Sequence, residues 1–314
     1  MTLLKKYKMS IIIPVYNRER EIERCLESCL NQNLDSVEIV IVDDCSIDKS
    51  VDVVKSFFLN KRVNYKILEI DKNKGVGHAR NFGVKSSEGE WLLFLDSDDE
   101  LLTGKLHTIL TTIDQVERHN PNIKKLGFPY LKDEKKIPAH APFSEVVNFV
   151  NYLRWINDLR GTDYLQVIHN DIFQQFKWNE ERVPEKEFHL KLFDGTDLFY
   201  KDEIVAKINS DAEQQLTRVS ISAIPYQQAV NTYDSNIRIL SRYSLELKGY
   251  APRMLESIIN TLLIYALSAD KIKELAIYLF KNRLYTSLNK KQFFFILISI
   301  FNSRIAYGIA EKRK

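Results

Sequence analysis

The sequence of 314 residues predicts an α/β fold, in which a mostly parallel sheet is covered by helices on both faces and followed by a C-terminal helical extension. Short apolar runs alternate with amphipathic helical segments through the first hundred residues, a pattern typical of buried parallel strands. From about Tyr250 onward, apolar residues recur at helical spacing.

The first predicted strand is the apolar run at residues 11–13, which we expect to stop at Pro14 because proline cannot donate a ladder hydrogen bond. Asn17 is a candidate cap for the helix that follows. This helix carries one apolar stripe, made of Ile22, Cys25, Leu26, Cys29 and Leu30. The stripe gives both cysteines a packing role.

Three further apolar runs are predicted strands, at residues 37–42, 65–70 and 91–95, with a helix around residues 79–84 before the last of them. After about Asn120 the alternation weakens. There the candidates are a strand at residues 125–130 and a helix, capped by Ser144, that carries Val147, Val150, Leu153 and Trp155.

Composition excludes several classes of protein. The net charge of +3 is too small to indicate a nucleic-acid partner, and three cysteines indicate no disulfide framework. The N-terminal residues lack the apolar stretch of a secretory signal, and no run reaches the roughly 18 apolar residues of a membrane span. We therefore expect a cytoplasmic protein.

A polar segment follows each of the four predicted strands. Because ligands of an open parallel sheet bind beyond the carboxyl ends of its strands, we expect these segments to meet at one rim. They are residues 14–17, Asp43 with Asp44, the loop at residues 73–80, and the cluster Asp96, Ser97, Asp98 and Asp99.

The acidic cluster is the sharpest of these signals. Three carboxylates within four residues repel one another unless a cation neutralises them, and Mg²⁺ or Mn²⁺ is typically held by one or two carboxylates together with substrate phosphates. The alternative is a solvated acidic turn that caps the next helix. The position directly after a buried strand favours a metal site made by Asp96, Asp98 and Asp99.

The other rim residues fit a nucleotide ligand. Asp43 and Asp44 can accept hydrogen bonds from a nucleobase, although capping a helix is their alternative role. Arg80 can pair with a phosphate or an acid, and Gly75 allows the loop to approach a ligand closely. The segment lacks G-x-G-x-x-G spacing, which disfavours a dinucleotide-dependent dehydrogenase, and no P-loop or G-x-S-x-G motif occurs.

Taken together, the segments resemble the family 2 glycosyltransferases, which have the GT-A fold. The resemblance covers roughly residues 9–115. It implies an inverting hexosyltransferase that uses a nucleotide-diphosphate sugar, usually a UDP-sugar, with Mn²⁺ or Mg²⁺. The matching stretches are IIIPVYN at residues 11–17, VDDCSID at 42–48, NKGVGHARNFGVKSSEGE at 73–90 and FLDSDD at 94–99.

The resemblance also implies roles for individual residues. The backbone of residues 14–16 and the side chain of Asp44 would hold the base, with Asp43 nearby. Asp96 and Asp98 would serve the ribose and the metal, and Asp99 would share the metal role. The donor-binding set is Pro14, Val15, Tyr16, Asn17, Asp43, Asp44, Gly75, Arg80, Asp96, Ser97 and Asp98.

An inverting transferase needs a general base for the acceptor hydroxyl. Similar enzymes place an acid at the start of a helix in the second half of the domain, and the stretch at residues 184–192 puts Glu185 there. Glu185 departs from the family in residue type and lacks the usual preceding acid. Glu187 and Asp197 therefore remain candidates.

These inferences divide the chain into a nucleotide-sugar-binding half (1–120), an acceptor-binding half (121–245) and a helical extension (246–314). The resemblance implies a saccharide or lipid-linked saccharide acceptor, and synthesis of a bacterial capsule or lipopolysaccharide as the context. A sugar nucleotidyltransferase is one alternative, although no glycine-rich phosphate loop follows the first strand. A non-catalytic nucleotide-sugar-binding protein is another, which the unusual Glu185 keeps open.

The most apolar run of the chain, at residues 293–301, lies near its C-terminal end. Lys290 and Lys291 precede the run, and Arg304 and the basic residues 312–314 follow it. A run of this length is too short to span a bilayer, but a flanked apolar patch suits peripheral contact with an anionic membrane. The alternative is a helix that packs on the domain.

Overall fold

The structure is a computed structural model that describes residues 6–142, 144–157, 163–181, 183–209 and 224–301. The chain forms two compact units. The first comprises Met1–Tyr152, Arg160–Glu180 and Lys191–Glu213, and the second comprises Leu153–Leu159, Glu181–Leu190 and Gln214–Lys314. The basic residues predicted to follow the C-terminal apolar run, Arg304 and 312–314, lie outside the described residues.

Twelve strands are described, all in the first unit. They are β1 (Tyr7–Val15), β2 (Val37–Asp43), β3 (Tyr65–Glu69), β4 (Gly89–Phe94), β5 (Glu100–Leu101), β6 (Lys125–Phe128), β7 (Tyr130–Lys132), β8 (Lys135–Ile137), β9 (Val146–Val147), β10 (Leu165–His169), β11 (Leu198–Tyr200) and β12 (Ala206–Ile208). The main sheet has the order β3-β2-β1-β4-β10-β6-β11-β9, and a smaller one has the order β5-β12-β7-β8.

The main sheet is mostly parallel. Strands β3, β2, β1 and β4 are parallel neighbours, and β11 is parallel to β6. Strand β10 is antiparallel to both β4 and β6, and β9 is antiparallel to β11. Two successive antiparallel pairings around β10 restore the direction, so β6 and β11 run the same way as β1.

Eleven helices are described. They are α1 (Ile22–Leu30), α2 (Ser50–Phe58), α3 (Val76–Ser86), α4 (Lys105–His119), α5 (Phe149–Ile156), α6 (Asn170–Phe173), α7 (Lys186–Gly195), α8 (Tyr226–Tyr250), α9 (Pro252–Ser268), α10 (Ile272–Lys281) and α11 (Lys290–Phe301), with a 3₁₀ turn at Leu284–Ser287 before the last. In the described part of the chain, no helix combines the length and the apolar character that crossing a membrane requires.

Strand β1 packs against helices on both of its faces. Ile11 and Ile13 belong to one buried core together with residues of α1, α2 and α4, and Cys25 and Cys29 are fully buried in it, as predicted. On the opposite face, Gly83 of α3 lies so close to β1 that an added Cβ would stand 2.7 Å from Ile12 Cγ2. The predicted α/β fold with a sheet covered on both faces is confirmed.

The predicted stop of the first strand at Pro14 is wrong, because β1 continues to Val15. The carbonyl of Ile12 accepts a hydrogen bond from Leu95 on the side of β4, and alternate residues of a strand point their backbone groups to the same side. Pro14 therefore faces β4 as well. The pairing with β4 has already ended at Ile12 and Phe94, so Pro14 leaves no ladder bond unmade.

Two further predictions need correction. Ser144 does not cap a helix: its Oγ accepts a hydrogen bond from the Val146 N–H at 3.3 Å, and Val147 pairs with Leu198 in the sheet. The helix begins only at Phe149. The long helix α8, which ends at Tyr250, was not predicted.

Candidate functional site

The loops after β1 and β2 are joined at the carboxyl ends of these strands. The Asp44 N–H donates to the Val15 carbonyl at 2.8 Å, and the Asn17 N–H donates to Ser46 Oγ at 3.0 Å. The prediction that Asn17 caps α1 is wrong. Its Oδ1 accepts a hydrogen bond from the Ile47 N–H at 2.9 Å instead. The structure thus brings the first two predicted segments together at one rim.

The backbone adopts left-handed conformations at this rim. Asn17 has φ of 51°, Cys45 has φ of 64° and Gly75 has φ of 94°. Such a conformation costs about 1–2 kcal/mol for a residue that carries a Cβ, and residues held in it cluster at functional sites. Gly75, at the start of α3, avoids this cost because it has no Cβ.

Asp43 and Asp44 differ in what their carboxylates do. Asp44 accepts hydrogen bonds from the Lys74 N–H at 2.8 Å and the Gly75 N–H at 2.6 Å, so it fixes the loop that precedes α3. Asp43 Oδ2 accepts from the Ser46 N–H at 3.0 Å, but Asp43 Oδ1 is buried without a hydrogen-bond partner. A buried acceptor without a partner costs about 1–3 kcal/mol, which marks Asp43 as the carboxylate open to a ligand.

Arg80 joins α3 to the acidic cluster. Its Nη2 donates to Asp96 Oδ1 at 2.8 Å, and its guanidinium carbon lies 4.6 Å from the centroid of the Trp178 ring. Arg80 is buried, whereas the Asp96 side chain is 48% exposed. The guanidinium is therefore held from two sides beside a carboxylate that solvent can reach.

The acidic cluster carries more negative charge than its neighbours balance. Burial, followed by the charge of Asp96, raises the pKa of Asp98, and burial with the charges of Asp96 and Asp98 raises the pKa of Asp99 to about 8. Asp98 Oδ2 lies 3.7 Å from Arg18 Nε, and Asp99 Oδ1 accepts from the Asn209 N–H at 3.2 Å. This imbalance is the condition that a divalent cation would relieve.

The expected metal ligands are not assembled as a closed site. Among the residues that the structure describes, no three side chains of His, Cys, Asp or Glu are grouped so that they could hold a metal ion alone. Oxygens of a second molecule would have to complete the coordination. This fits the usual behaviour of Mg²⁺, which keeps one or two protein carboxylates and adds phosphate oxygens.

Sequence reasoning missed two residues at the rim. Asn209 donates through Nδ2 to the Asp98 carbonyl at 2.9 Å and to Glu100 Oε1 at 3.0 Å. Asn209 follows β12, which pairs with β5 beside the cluster, and nothing in the local sequence signals that pairing. Arg18, near Asp98, had a signal, because it directly follows the matching stretch at residues 11–17.

Residues 178–180, here termed the strap, are hydrogen-bonded to α3. Asn81 bonds the Trp178 backbone in both directions: its Oδ1 accepts from the N–H at 3.1 Å, and its Nδ2 donates to the carbonyl at 2.9 Å. His78 Nδ1 lies 3.1 Å from Glu180 Oε2. The strap thereby fixes the Trp178 ring on which Arg80 stacks.

Of the base candidates, Glu185 and Glu187 lie in the second unit and have different surroundings. Glu185 precedes α7, its Oε2 lies 3.6 Å from His189 Nε2, and its side chain is 42% exposed. Glu187 is buried, with Oε1 bonded by Arg238 at 2.9 Å and Oε2 bonded by Arg238 at 3.0 Å and Ser235 at 2.8 Å. The contacts of Glu187 favour a role in holding α7 against α8.

Asp197 lies at the amino ends of the parallel strands, whereas the acidic cluster lies beyond their carboxyl ends. It immediately precedes β11, which runs in the same direction as β1, whereas Asp96 follows the end of β4. The electrostatic neighbour of Asp197 is the buried Lys125, at the amino end of β6. The structure does not bring Asp197 to the rim.

The part of the chain that carries this rim is similar to known proteins. The profile described as glycosyl transferase family 2 matches residues 10–123. An uncharacterized glycosyltransferase of Haemophilus influenzae is 39% identical over 121 residues, which are 38% of each chain. The poly(ribitol-phosphate) beta-N-acetylglucosaminyltransferase TarS of Staphylococcus aureus is 36% identical over 34% of this chain and 19% of TarS. The chain thus spans less than half the length of these two relatives.

Solved structures are similar over nearly the whole chain. The crystal structure of S. aureus TarS 1–349 in complex with UDP has a TM-score of 0.66 and 20% identity, covering 97% of this chain and 90% of that one. The mannosyltransferase PcManGT of Pyrobaculum calidifontis, in complex with GDP-Man and Mn²⁺, has a TM-score of 0.54 and 16% identity, covering 97% and 86%. At such identities the likeness concerns the fold.

Proposed function

We propose that this chain, whose residues 10–123 match the profile of glycosyl transferase family 2 and whose fold is similar to that of TarS, is an inverting hexosyltransferase that transfers a sugar from a UDP-sugar to a hydroxyl group. The observation that carries the proposal is the rim at the ends of β1, β2 and β4. There, a buried carboxylate oxygen of Asp43 without a partner lies at the end of β2, and an under-neutralised acidic cluster follows β4 and is bonded by Arg80 of α3.

In this proposal each part of the rim binds one part of the donor. Asp43 Oδ1, and not Asp44 as the resemblance implies, accepts a hydrogen bond from the nucleobase, because both oxygens of Asp44 already bond the loop at Gly75. Arg80 and Asp96 meet the ribose and the diphosphate. The full donor-binding set remains Pro14, Val15, Tyr16, Asn17, Asp43, Asp44, Gly75, Arg80, Asp96, Ser97 and Asp98. Uracil is the proposed base because the similar TarS structures hold UDP and UDP-GlcNAc.

Asp96, Asp98 and Asp99 are the proposed residues for Mn²⁺ or Mg²⁺. A bound divalent ion would stabilise the charge that develops on the leaving diphosphate. The raised pKa of Asp99 supports this placement, since a cation would offset the mutual repulsion of the carboxylates. The similar mannosyltransferase structure contains Mn²⁺.

Glu185 is the proposed general base. Its carboxylate takes the proton of the acceptor hydroxyl while that oxygen attacks the anomeric carbon, and the bond from this carbon to the diphosphate breaks to release UDP. Its partly exposed side chain supports the choice over Glu187, whose two oxygens are already bonded.

The proposed context is bacterial surface polysaccharide synthesis at the inner face of the membrane, with a saccharide or lipid-linked saccharide as acceptor. Two relatives support it: TarS, named as a poly(ribitol-phosphate) beta-N-acetylglucosaminyltransferase, and the minor teichoic acid biosynthesis protein GgaB of Bacillus subtilis, which is 32% identical over 136 residues. The division into donor half (1–120), acceptor half (121–245) and helical extension (246–314) belongs to the same proposal.

The test measures donor binding and turnover separately. We expect Mn²⁺-dependent thermal stabilisation by UDP-sugars and not by GDP-mannose, because ligands that bind the native state raise apparent stability. Asp98→Asn should abolish the Mn²⁺-dependent part. Glu185→Gln should keep donor binding and lower UDP release about 10²- to 10⁴-fold, the usual contribution of a general base. Asp52→Asn, at an exposed position of α2, is the matched control.

Three outcomes would contradict the proposal. UDP release that Glu185→Gln leaves unchanged would refute the base. Binding of a nucleoside triphosphate with release of pyrophosphate would indicate a nucleotidyltransferase. Donor binding without UDP release, in the presence of saccharide acceptors and Mn²⁺, would indicate a non-catalytic binding protein.

A further inference from the structure

Helix α10 exposes apolar side chains on the side away from its core contacts. Its buried residues include Leu275 and Leu279, whereas Ile277 is 56% exposed and Phe280 is 72% exposed. The Phe280 ring lies 5.6 Å from the ring of Tyr285, on the turn that follows, and Tyr285 is 46% exposed. Two aromatic rings thus contact each other on the surface of the second unit.

Helix α11 repeats this arrangement and packs against α10. It buries Phe295 and Ile296, but Phe293 is 54% exposed, Phe294 is 62% exposed and Leu297 is 40% exposed. Single exposed apolar residues are ordinary on protein surfaces. Exposed strips on two helices in contact indicate an interaction surface.

Basic residues lie on the same segment as the exposed apolar side chains of α10 and α11. The segment 270–301 contains six Lys or Arg residues and two acidic residues. The exposed ones among the basic residues are Lys273, Lys281, Arg283, Lys290 and Lys291. This excess favours an anionic partner. It disfavours pairing of the face with its own copy, since like charges would be brought together.

We propose that this basic-aromatic face, formed by α10, the 3₁₀ turn and α11, binds the surface of an anionic lipid membrane. The exposed Phe, Ile and Leu side chains enter the boundary between headgroups and acyl chains, Tyr285 lies at the headgroup level, and the lysines meet lipid phosphates. Contact is peripheral, because the 12 residues of α11 are too few to span a bilayer. The inference rests on this surface and not on the donor site.

The test is flotation of the full-length chain with vesicles of phosphatidylcholine alone or mixed with about one third phosphatidylglycerol, the anionic component. We expect binding only to the mixed vesicles. Lys290→Gln with Lys291→Gln should weaken it about 25-fold, because each lysine near an anionic surface contributes about a factor of five. Phe280→Ser with Phe294→Ser should weaken it by at least about tenfold for each ring.

Matched controls lie on the first unit. Leu59, 70% exposed, is the apolar control as Leu59→Ser, and exposed Lys85 is the basic control as Lys85→Gln. Both should bind vesicles as the unaltered chain does. All variants change exposed residues, and donor binding in solution should persist in each, which separates failure of this inference from failure of the proposed function.

Absence of binding to the mixed vesicles, or binding that either double variant leaves unchanged, overturns the inference. So does dimerisation of the unaltered chain in analytical ultracentrifugation that Phe280→Ser with Phe294→Ser abolishes, because the face would then be a contact between two copies.

Discussion

Two glutamates, two residues apart in the sequence, illustrate how environment, and not residue type, assigns a role. Glu185 and Glu187 were both candidates for the base from their place in the sequence. In the structure Glu187 is buried and bonded by Arg238 and Ser235, whereas Glu185 is partly exposed near His189. Sequence could place an acid at the start of α7, but not which of the two would be enclosed.

The first prediction follows from this contrast. Glu187→Gln should lower the free energy of unfolding by about 2 kcal/mol, less than the full cost of breaking a buried pair, because Arg238 is 43% exposed. Glu185→Gln should change it by less than about 0.5 kcal/mol. Urea unfolding of both variants measures the difference, and equal effects would contradict the assignment of a structural role to Glu187.

A second prediction concerns the buried Lys125, whose Nζ lies 3.1 Å from the Phe193 ring centroid and donates to the Thr196 carbonyl at 3.2 Å. Burial lowers its pKa well below the ordinary 10.5, against the opposing charge of Asp197. The unfolded chain keeps this proton to higher pH than the folded chain does. Stability should therefore rise with pH from the folded pKa up to about 10.5.

Lys125→Met should remove that slope and raise stability at pH 7 by about 1–2 kcal/mol, because no charge then has to be buried. Urea unfolding at intervals from neutral pH to about pH 10 measures the slope. Lys124→Met, at the less buried neighbouring position, should keep the slope of the unaltered chain. Parallel curves for Lys125→Met and the unaltered chain would refute the prediction.

At the scale of elements, the sequence predicted best where local pattern and burial agree. Strands β1, β2 and β4 are short apolar runs because both faces of each are covered, and that signal is visible in a few residues. Strands β9 and β12 have two and three residues, and their existence depends on partners far along the chain. Helix α8 was missed because Gln, Asn, Ser and Thr dilute its apolar stripe.

The same reasoning explains the candidate site. The rim residues on β1, β2 and β4 follow their strands directly, so the rule for parallel sheets located them. No comparable rule locates the strap from the sequence. Residues 178–180 are separated from α3 by about a hundred residues, and no local pattern marks Trp178 as the partner of Arg80. Side-chain contacts of this range become visible only in the folded chain.

A third prediction tests the strap. An added Cβ at Gly77 would stand 2.5 Å from the Asn179 carbonyl oxygen, so Gly77→Ala must displace the strap and weaken the stacking of Trp178 on Arg80. We expect the donor KM to rise about 3- to 10-fold with little change in kcat, as when a binding group is misplaced. Steady-state kinetics of UDP release measures both constants.

The control for this substitution is Gly249→Ala. Gly249 lies in α8 and has no atom within 4 Å of an added Cβ. The variant should gain about 0.5–1 kcal/mol of stability from helix propensity and keep the donor KM. A donor KM that Gly77→Ala leaves unchanged would show that the strap does not position Arg80.

At the scale of the whole molecule, the order of the strands in the main sheet differs from their order along the chain. After β4 it forms β6 and β9 before it returns as β10, which lies between β4 and β6. The part of the chain that matches the family profile ends at residue 123, before any of those strands. The central position of β4 therefore depends on residues beyond the matched segment.

This order of strands has a consequence for dissection of the protein. A fragment that ends at residue 123 would turn β4 into an open edge, with Trp91, Leu92, Leu93 and Phe94 free to template pairing with other chains. We expect such a fragment to aggregate on expression, whereas a fragment that ends at residue 209 retains all the strands that the structure describes and stays in the supernatant. Sedimentation of the two fragments decides this, and a monodisperse short fragment would contradict it. The most recognisable third of the sequence is then also the part least able to exist alone.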